Sequence, residues 1–230
     1  MTYIYRFEFQ SDDAVEITIN LNPSNLSLIK NPPEDCPRWT ELDYYKCPNC
    51  ILDAPRHRHC PVSLTLLGLI DKFGGCKSYE EAIISIITEE RTYVKKAALQ
   101  KGLSSLIGIY MVTCGCPVME KLRPMVRYHL PFATESETKY RALSMYLLAQ
   151  FFIKRHGGSP DWQMENLKKI YEDIRIVNRH ISKRLSGVMS EDAGINAIII
   201  LDCFADSVSF SLSKERLEEL EMLFEAYIAQ

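Results

Sequence analysis

The residues best equipped for chemistry fall in one short stretch, Cys47-Pro48-Asn49-Cys50 followed by His57-Arg58-His59-Cys60. A C-x2-C turn sets two sulfurs on one side of a tight loop, and His57 with Cys60 repeats the two-residue gap. Four soft ligands, Cys47, Cys50, Cys60 and His57, could then surround a tetrahedral Zn²⁺. Cys36, His59 and Cys116 are rivals for the fourth place. Cys116 lies in Cys114-Gly115-Cys116-Pro117 and would tie the loop to the middle of the chain. Four thiolates, Cys47, Cys50, Cys60 and Cys116, would also suit an iron-sulfur cluster. The plain alternative is a set of reduced thiols in a proline-ordered loop. A redox dithiol is disfavoured because Pro48 and Asn49 supply no helix N-terminus to lower a thiol pKa.

What cysteines mean depends on the compartment. The N-terminus carries Arg6, Glu8, Asp12, Asp13 and Glu16 among alternating apolar residues, unlike a secretory signal. The weakly polar runs at residues 103–116 and 194–205 fall short of the roughly 20 residues that span a bilayer. The expectation is a cytoplasmic protein without a membrane segment, in which close cysteine pairs hold metal more often than they form disulfides. Of the eight cysteines, Cys36, Cys47, Cys60 and Cys116 are followed by proline. Cys76, Cys114 and Cys203 read as ordinary reduced thiols, Cys203 within a buried helix. A net charge of −3 argues against a general nucleic-acid binder, whose affinity rests on Lys and Arg neutralising phosphates.

A second block, residues 114–132, holds Arg123, Arg127 and His129, which could form an anion-binding or catalytic cluster, although such residues more often pair with surface carboxylates. The dinucleotide, P-loop, zincin and hydrolase-elbow motifs are absent from the sequence, so those activities lose their main warrant. Asp192 with Asn196, and Asp202 with Asp206, lie one helical turn apart and read as caps or interhelical hydrogen bonds.

These residues need elements to position them. Tyr3, Tyr5, Phe7 and Phe9 alternate with polar neighbours, as do Val15, Ile17, Ile19 and Leu21, which predicts a β-hairpin with an apolar face. Residues 82–88 and 92–94 are the candidate partners. Residues 31–62 hold six prolines, four cysteines and little periodicity, a segment that a metal would organise. A helix is predicted from Pro61 to Phe73, stopped by Gly74 and Gly75. Thr134 with Glu137 forms a capping box for a helix whose apolar face carries Tyr140, Leu143, Leu147 and Phe151 and which ends at residues 156–158. Further helices are expected from Ser159-Pro160 to Gly187, from Ser190 onward, and from a Ser213 cap with Leu217, Leu220, Phe224 and Tyr227 facing inward. The resulting fold class is α+β, one domain over residues 1–230, with a metal-ordered loop at 31–62 and an antiparallel helical bundle at 134–230.

The combination of Cys-Pro-x-Cys, His-x-His-Cys-Pro and Gly-Cys-Pro with Arg-Pro-Met and His-Leu-Pro-Phe resembles an uncharacterised bacterial family, a domain of unknown function spanning most of the chain. That resemblance implies a bacterial intracellular origin and transfers no activity or ligand set. The expected role is a zinc-stabilised, non-enzymatic binding or regulatory protein with a protein partner or a second copy of itself. The alternatives are a metal-dependent or iron-sulfur enzyme using Arg123, Arg127 and His129, and a component of a larger assembly joined through the hairpin face or a helix stripe.

Overall fold

Alternating burial organises the N-terminal half of the protein. In a computed structural model, which describes residues 1–11, 13–30, 35–211, 217 and 220–229, β1 (Thr2–Phe9) and β2 (Ala14–Asn20) pair antiparallel from Thr2 opposite Asn20 to Glu8 opposite Ala14. The strands β3 (Glu81–Ile87) and β4 (Thr92–Ala98) complete an antiparallel sheet of order β2-β1-β3-β4. Tyr3, Tyr5, Phe7, Ile17, Ile19, Ala82, Ile84 and Ile86 are buried on one face. The period of two therefore fixes register, since a one-residue slip would turn this set to solvent.

Helix α1 (Pro61–Phe73) begins with proline at its first position, where no amide bond is lost, and its Phe73 meets Phe7 edge-on at 5.0 Å. Helix α2 (Leu99–Thr113) follows β4 directly and lies across the sheet. At Gly102 an added Cβ would stand 2.7 Å from both Ile84 and Phe7, so the helix sits on the sheet at backbone distance. The sequence reading does not place α2. Leu99, Leu103, Leu106, Ile107, Ile109 and Met111 are all buried, and a helix covered on most sides carries no polar stripe to reveal its period.

After the four-residue helix α3 (Pro124–Arg127) come α4 (Glu135–Arg155), α5 (Glu165–Ser186) and α6 (Ala193–Ser211). α6 packs against α5, α2 and α4, so the bundle includes α2 as well as the C-terminal helices. Both halves of the Thr134–Glu137 capping box are present. The helix ends in a Schellman turn, with Gly157 at φ +80° and Gly158 N–H donating to the Ile153 carbonyl at 2.9 Å.

Several expectations are corrected. α4 buries Ala142, Leu143, Tyr146 and Gln150, while Tyr140, Leu147, Leu148, Phe151, Phe152 and Ile153 are exposed. α5 starts at Glu165 rather than Pro160, because the Asp161 carboxylate accepts the Glu165 and Asn166 amides and the Tyr146 hydroxyl. The acceptor holds the preceding chain in a turn, and Trp162 is left exposed. α6 starts at Ala193, with Asp192 accepting from Ser78 and Asn196 and Ser190 donating to the Gly74 carbonyl. Cys203 is exposed on α6, and Phe224 and Tyr227 are exposed rather than inward. The Ser213 cap lies outside the described residues. The aromatic hairpin face is buried, with Phe7 against Phe73 of α1 and Gly102 of α2. By length and composition Ala193–Phe210 is apolar enough to cross a membrane, a longer stretch than the sequence reading allowed. Here Ala193, Ala197, Ile198, Ala205 and Val208 are buried in the bundle.

The close approach at Gly102 gives a direct expectation. Gly102→Ala should destabilise the protein by about 1–3 kcal/mol through overpacking, despite the better helix propensity of alanine. Urea unfolding would check it, and an unchanged or raised midpoint would contradict the packing described.

Candidate metal centre and adjoining cavity

The proline-rich loop is held by backbone pairing and by one buried cation. Residues 40–42 run beside 58–60, with Leu42 N–H donating to the Arg58 carbonyl at 2.9 Å and Cys60 N–H to the Thr40 carbonyl at 2.8 Å. Trp39 and Thr40 are buried in a single 3-10 turn. Arg184 of α5, 1% exposed, donates Nη1 to the carbonyls of Trp39 (2.9 Å) and Glu41 (2.7 Å), and Nη2 to that of Leu42 (2.9 Å). Its guanidinium also lies over the Tyr44 ring. Arg184 makes no ion pair among the described residues. The Cys47–Cys50 turn closes with Cys50 N–H on the Cys47 carbonyl at 3.0 Å. Asn49 pins that turn to α5 by donating Nδ2 to the backbone and side-chain oxygens of Asp173.

These contacts bring Cys47 and Cys116 into electrostatic range of each other and of Cys50 and Cys60. Burial pushes the Cys47 thiol up to about 12, and Cys60, Cys50 and Cys116 push in the same direction while Arg184 opposes them. Burial also raises Cys116, and Cys60 and Cys50 add to the effect, whereas hydrogen bonds from the Met119 and Val118 amides favour its thiolate. The group is thus Cys47, Cys50, Cys60 and Cys116, from the loop, the start of α1 and the end of α2. Among the described residues, no three His, Cys, Asp or Glu side chains stand as a preformed metal-binding group.

The remaining candidates point elsewhere. His57 is half exposed with Nδ1 3.6 Å from Asp53, His59 Nδ1 is 2.8 Å from the Thr40 hydroxyl, and Cys36 is in range of Lys30. Cys114 is the exception: its Sγ donates to the Met111 carbonyl at 3.3 Å, but burial raises its pKa and Cys116 and Cys60 push in the same direction, so it adjoins the thiol group. Asp202 and Asp206 pair with Arg175, and Asp202 also with Arg179.

Arg123, Arg127 and His129 do not form an anion cluster. Arg123 bridges to Glu120 at 2.6 Å and donates to the Val112 and Asn25 carbonyls, and Arg127 donates to that of Pro23. His129 turns inward, where Nε2 is 2.8 Å from the Tyr5 hydroxyl and 3.0 Å from the Ser105 hydroxyl. Burial, with a smaller push from Arg141, lowers its pKa to about 3, so the imidazole is neutral at ordinary pH. Beside it lies a cavity of about 440 Å³ bounded by α2, the residue 119–134 segment, α5 and α6, with Asn178, Tyr171 and Arg141 among its walls.

A family model described as a domain of unknown function, DUF6901, matches residues 3–225, a span containing the thiol group, Arg184 and the cavity residues. The chain belongs to the DUF6901 family. No curated protein and no solved structure matches it.

Arg184 and Asn178 escape the sequence reading, although a signal exists. Leu167, Tyr171, Ile174, Ile181 and Leu185 form the buried stripe of α5, and Asn178 falls on it while Arg184 adjoins it. Polar residues at stripe positions mark buried hydrogen bonding or a ligand.

The neutral buried imidazole has a consequence for acid stability. The unfolded chain protonates His129 near pH 6.5 while the folded one resists until about pH 3, so its contribution is complete above pH 6.5 and is lost as pH falls. Between about pH 5.5 and 4.5 stability should fall with a slope approaching 1.4 kcal/mol per pH unit from this group. Urea unfolding at stepped pH should give a shallower slope for His129→Gln, and equal slopes would contradict a neutral buried histidine.

Proposed function

We propose that the chain is a non-enzymatic binding protein whose loop is fixed by a structural zinc ion held by Cys47, Cys50, Cys60 and Cys116. The observation that carries this reading is the convergence of four thiols from three separate segments beside a buried guanidinium that has no carboxylate partner among the described residues. A buried cation costs several kcal/mol unless it is compensated. Zn²⁺ with four thiolates carries net negative charge, so metal binding would give Arg184 its counter-charge. The metal in turn would draw the sulfurs to tetrahedral spacing. The amides of Val118 and Met119 already favour the Cys116 thiolate, and such outer hydrogen bonds orient and tune metal ligands. A closed four-ligand site leaves no position for substrate, which supports a structural role rather than catalysis.

Chelation tests the reading. A strong zinc chelator added to the intact protein is expected to release one zinc per chain and expose four further thiols to a thiol reagent. A loss of about 3 kcal/mol would lower the melting temperature of a chain this size by roughly 6–12 °C. Cys47→Ala and Cys116→Ala should reproduce the loss, whereas Cys203→Ala, at an exposed position, should not. Melting and thiol reactivity both indifferent to chelator would overturn the proposal.

A further inference from the structure

Charge is distributed unevenly around the cavity beside α2. The chain as a whole carries 30 acidic residues against 27 basic ones. Yet Lys95, Lys101 and Arg141 all line this space, and none of its described lining residues is Asp or Glu. Most of the remaining wall is apolar, with Val112, Leu122, Ile174, Leu201 and Phe204 among it. On α2 the lining residues Lys101, Ser104, Ser105, Gly108, Ile109 and Val112 recur at helical spacing and form one stripe. Its ends, Lys101 and Val112, are about 16 Å apart along the helix, so the space is elongated. Its volume, about 440 Å³, lies in the range of small-molecule sites.

The cations gather at one end of that stripe. Lys101 lies in the first turn of α2, and β4, which carries Lys95, runs directly into that turn. Lys95 and Arg141 both act electrostatically on Glu137 and so share a neighbourhood. Lys95 is exposed, and its Nζ stands 5.7 Å from the centroid of the Phe132 ring, itself part of the cavity wall. Arg141 commits Nη2 to the Met125 and Tyr128 carbonyls. Its Nε and Nη1 have no acceptor among the described residues and are not among the buried atoms without a partner, so free space reaches them. Burial lowers the Arg141 pKa, as it does for a cation short of counter-charge. Glu137 does not line the cavity, and its Oε2 already accepts from the Thr134 amide and hydroxyl.

We propose that this cavity binds a long-chain carboxylate, with its hydrocarbon chain along the α2 stripe and its head group among Arg141, Lys95 and Lys101. Burial of the chain supplies affinity, and the three cations select an anionic head, which a guanidinium and ammonium groups bind through charge-assisted hydrogen bonds. The assignment does not depend on the metal.

Calorimetric titration of the delipidated full chain with dodecanoate, dodecanol and dodecyltrimethylammonium, each below its micelle concentration, tests it. One dodecanoate per chain is expected, bound roughly tenfold or more tightly than dodecanol, with the cationic amphiphile weakest. Lys95→Gln combined with Lys101→Gln, both at exposed positions, should weaken dodecanoate roughly fivefold and leave dodecanol unchanged. Gly108→Leu, at a point on the stripe where a Cβ would meet only Leu201, at 3.6 Å, should block dodecanoate with both lysines intact. No dodecanoate binding to the wild-type chain would overturn the proposal, as would dodecanol or the cationic amphiphile binding as tightly. So would a dodecanoate affinity unchanged by the double lysine variant or by Gly108→Leu.

Discussion

The buried guanidinium of Arg184 is the constraint on which the middle of the molecule depends. Three loop carbonyls point at one side chain of α5, so the irregular chain at residues 39–42 cannot leave without stranding a charge in the interior. With that strand of loop fixed, residues 58–60 pair alongside it and Cys60 is delivered to the start of α1. The Cys47–Cys50 turn is anchored to the same helix through Asn49 and Asp173. The thiol group is therefore a product of α5 as much as of the cysteine-rich segment. The charge that organises the loop is also the charge a metal-thiolate centre would neutralise.

The sheet and α2 make a second, largely apolar assembly. Gly102 lets α2 settle onto Phe7 and Ile84, and Tyr5 carries the sheet's polar contact through to Ser105 and His129. On its far side α2 packs against α6, and residues of α2, α5 and α6 line a cavity beside that contact.

Much of the fold was legible from local chemistry. The hairpin, the two further strands, the proline start of α1 and the Thr134–Glu137 box each depend on a short-range pattern that tertiary contacts reinforce. The losses have a shared physical cause. α2 is too thoroughly buried to show an amphipathic period, and the apolar residues of α4 cover all sides, so composition could not say which face turns inward. The start of α5 is set by Asp161 and its partners, Tyr146 of α4 among them, a tertiary arrangement that the Ser159-Pro160 signal does not contain. At the candidate centre, Cys47, Cys50 and Cys60 followed from spacing alone. Cys116 over His57 did not, since the choice depends on α2 returning its end to the loop. The cavity is lined by residues of α2, α4, α5, α6 and the 119–134 segment, a juxtaposition that no local pattern contains.

The central claim is a zinc centre with an all-sulfur shell, and X-ray absorption at the zinc and iron edges of the purified full chain tests it most directly. The account predicts one zinc per chain with four sulfur neighbours at about 2.3 Å. A shell of three sulfurs and one nitrogen would return the fourth position to a histidine such as His57, and an iron signal would replace zinc with a cluster. A folded chain with no metal at either edge would contradict the account outright.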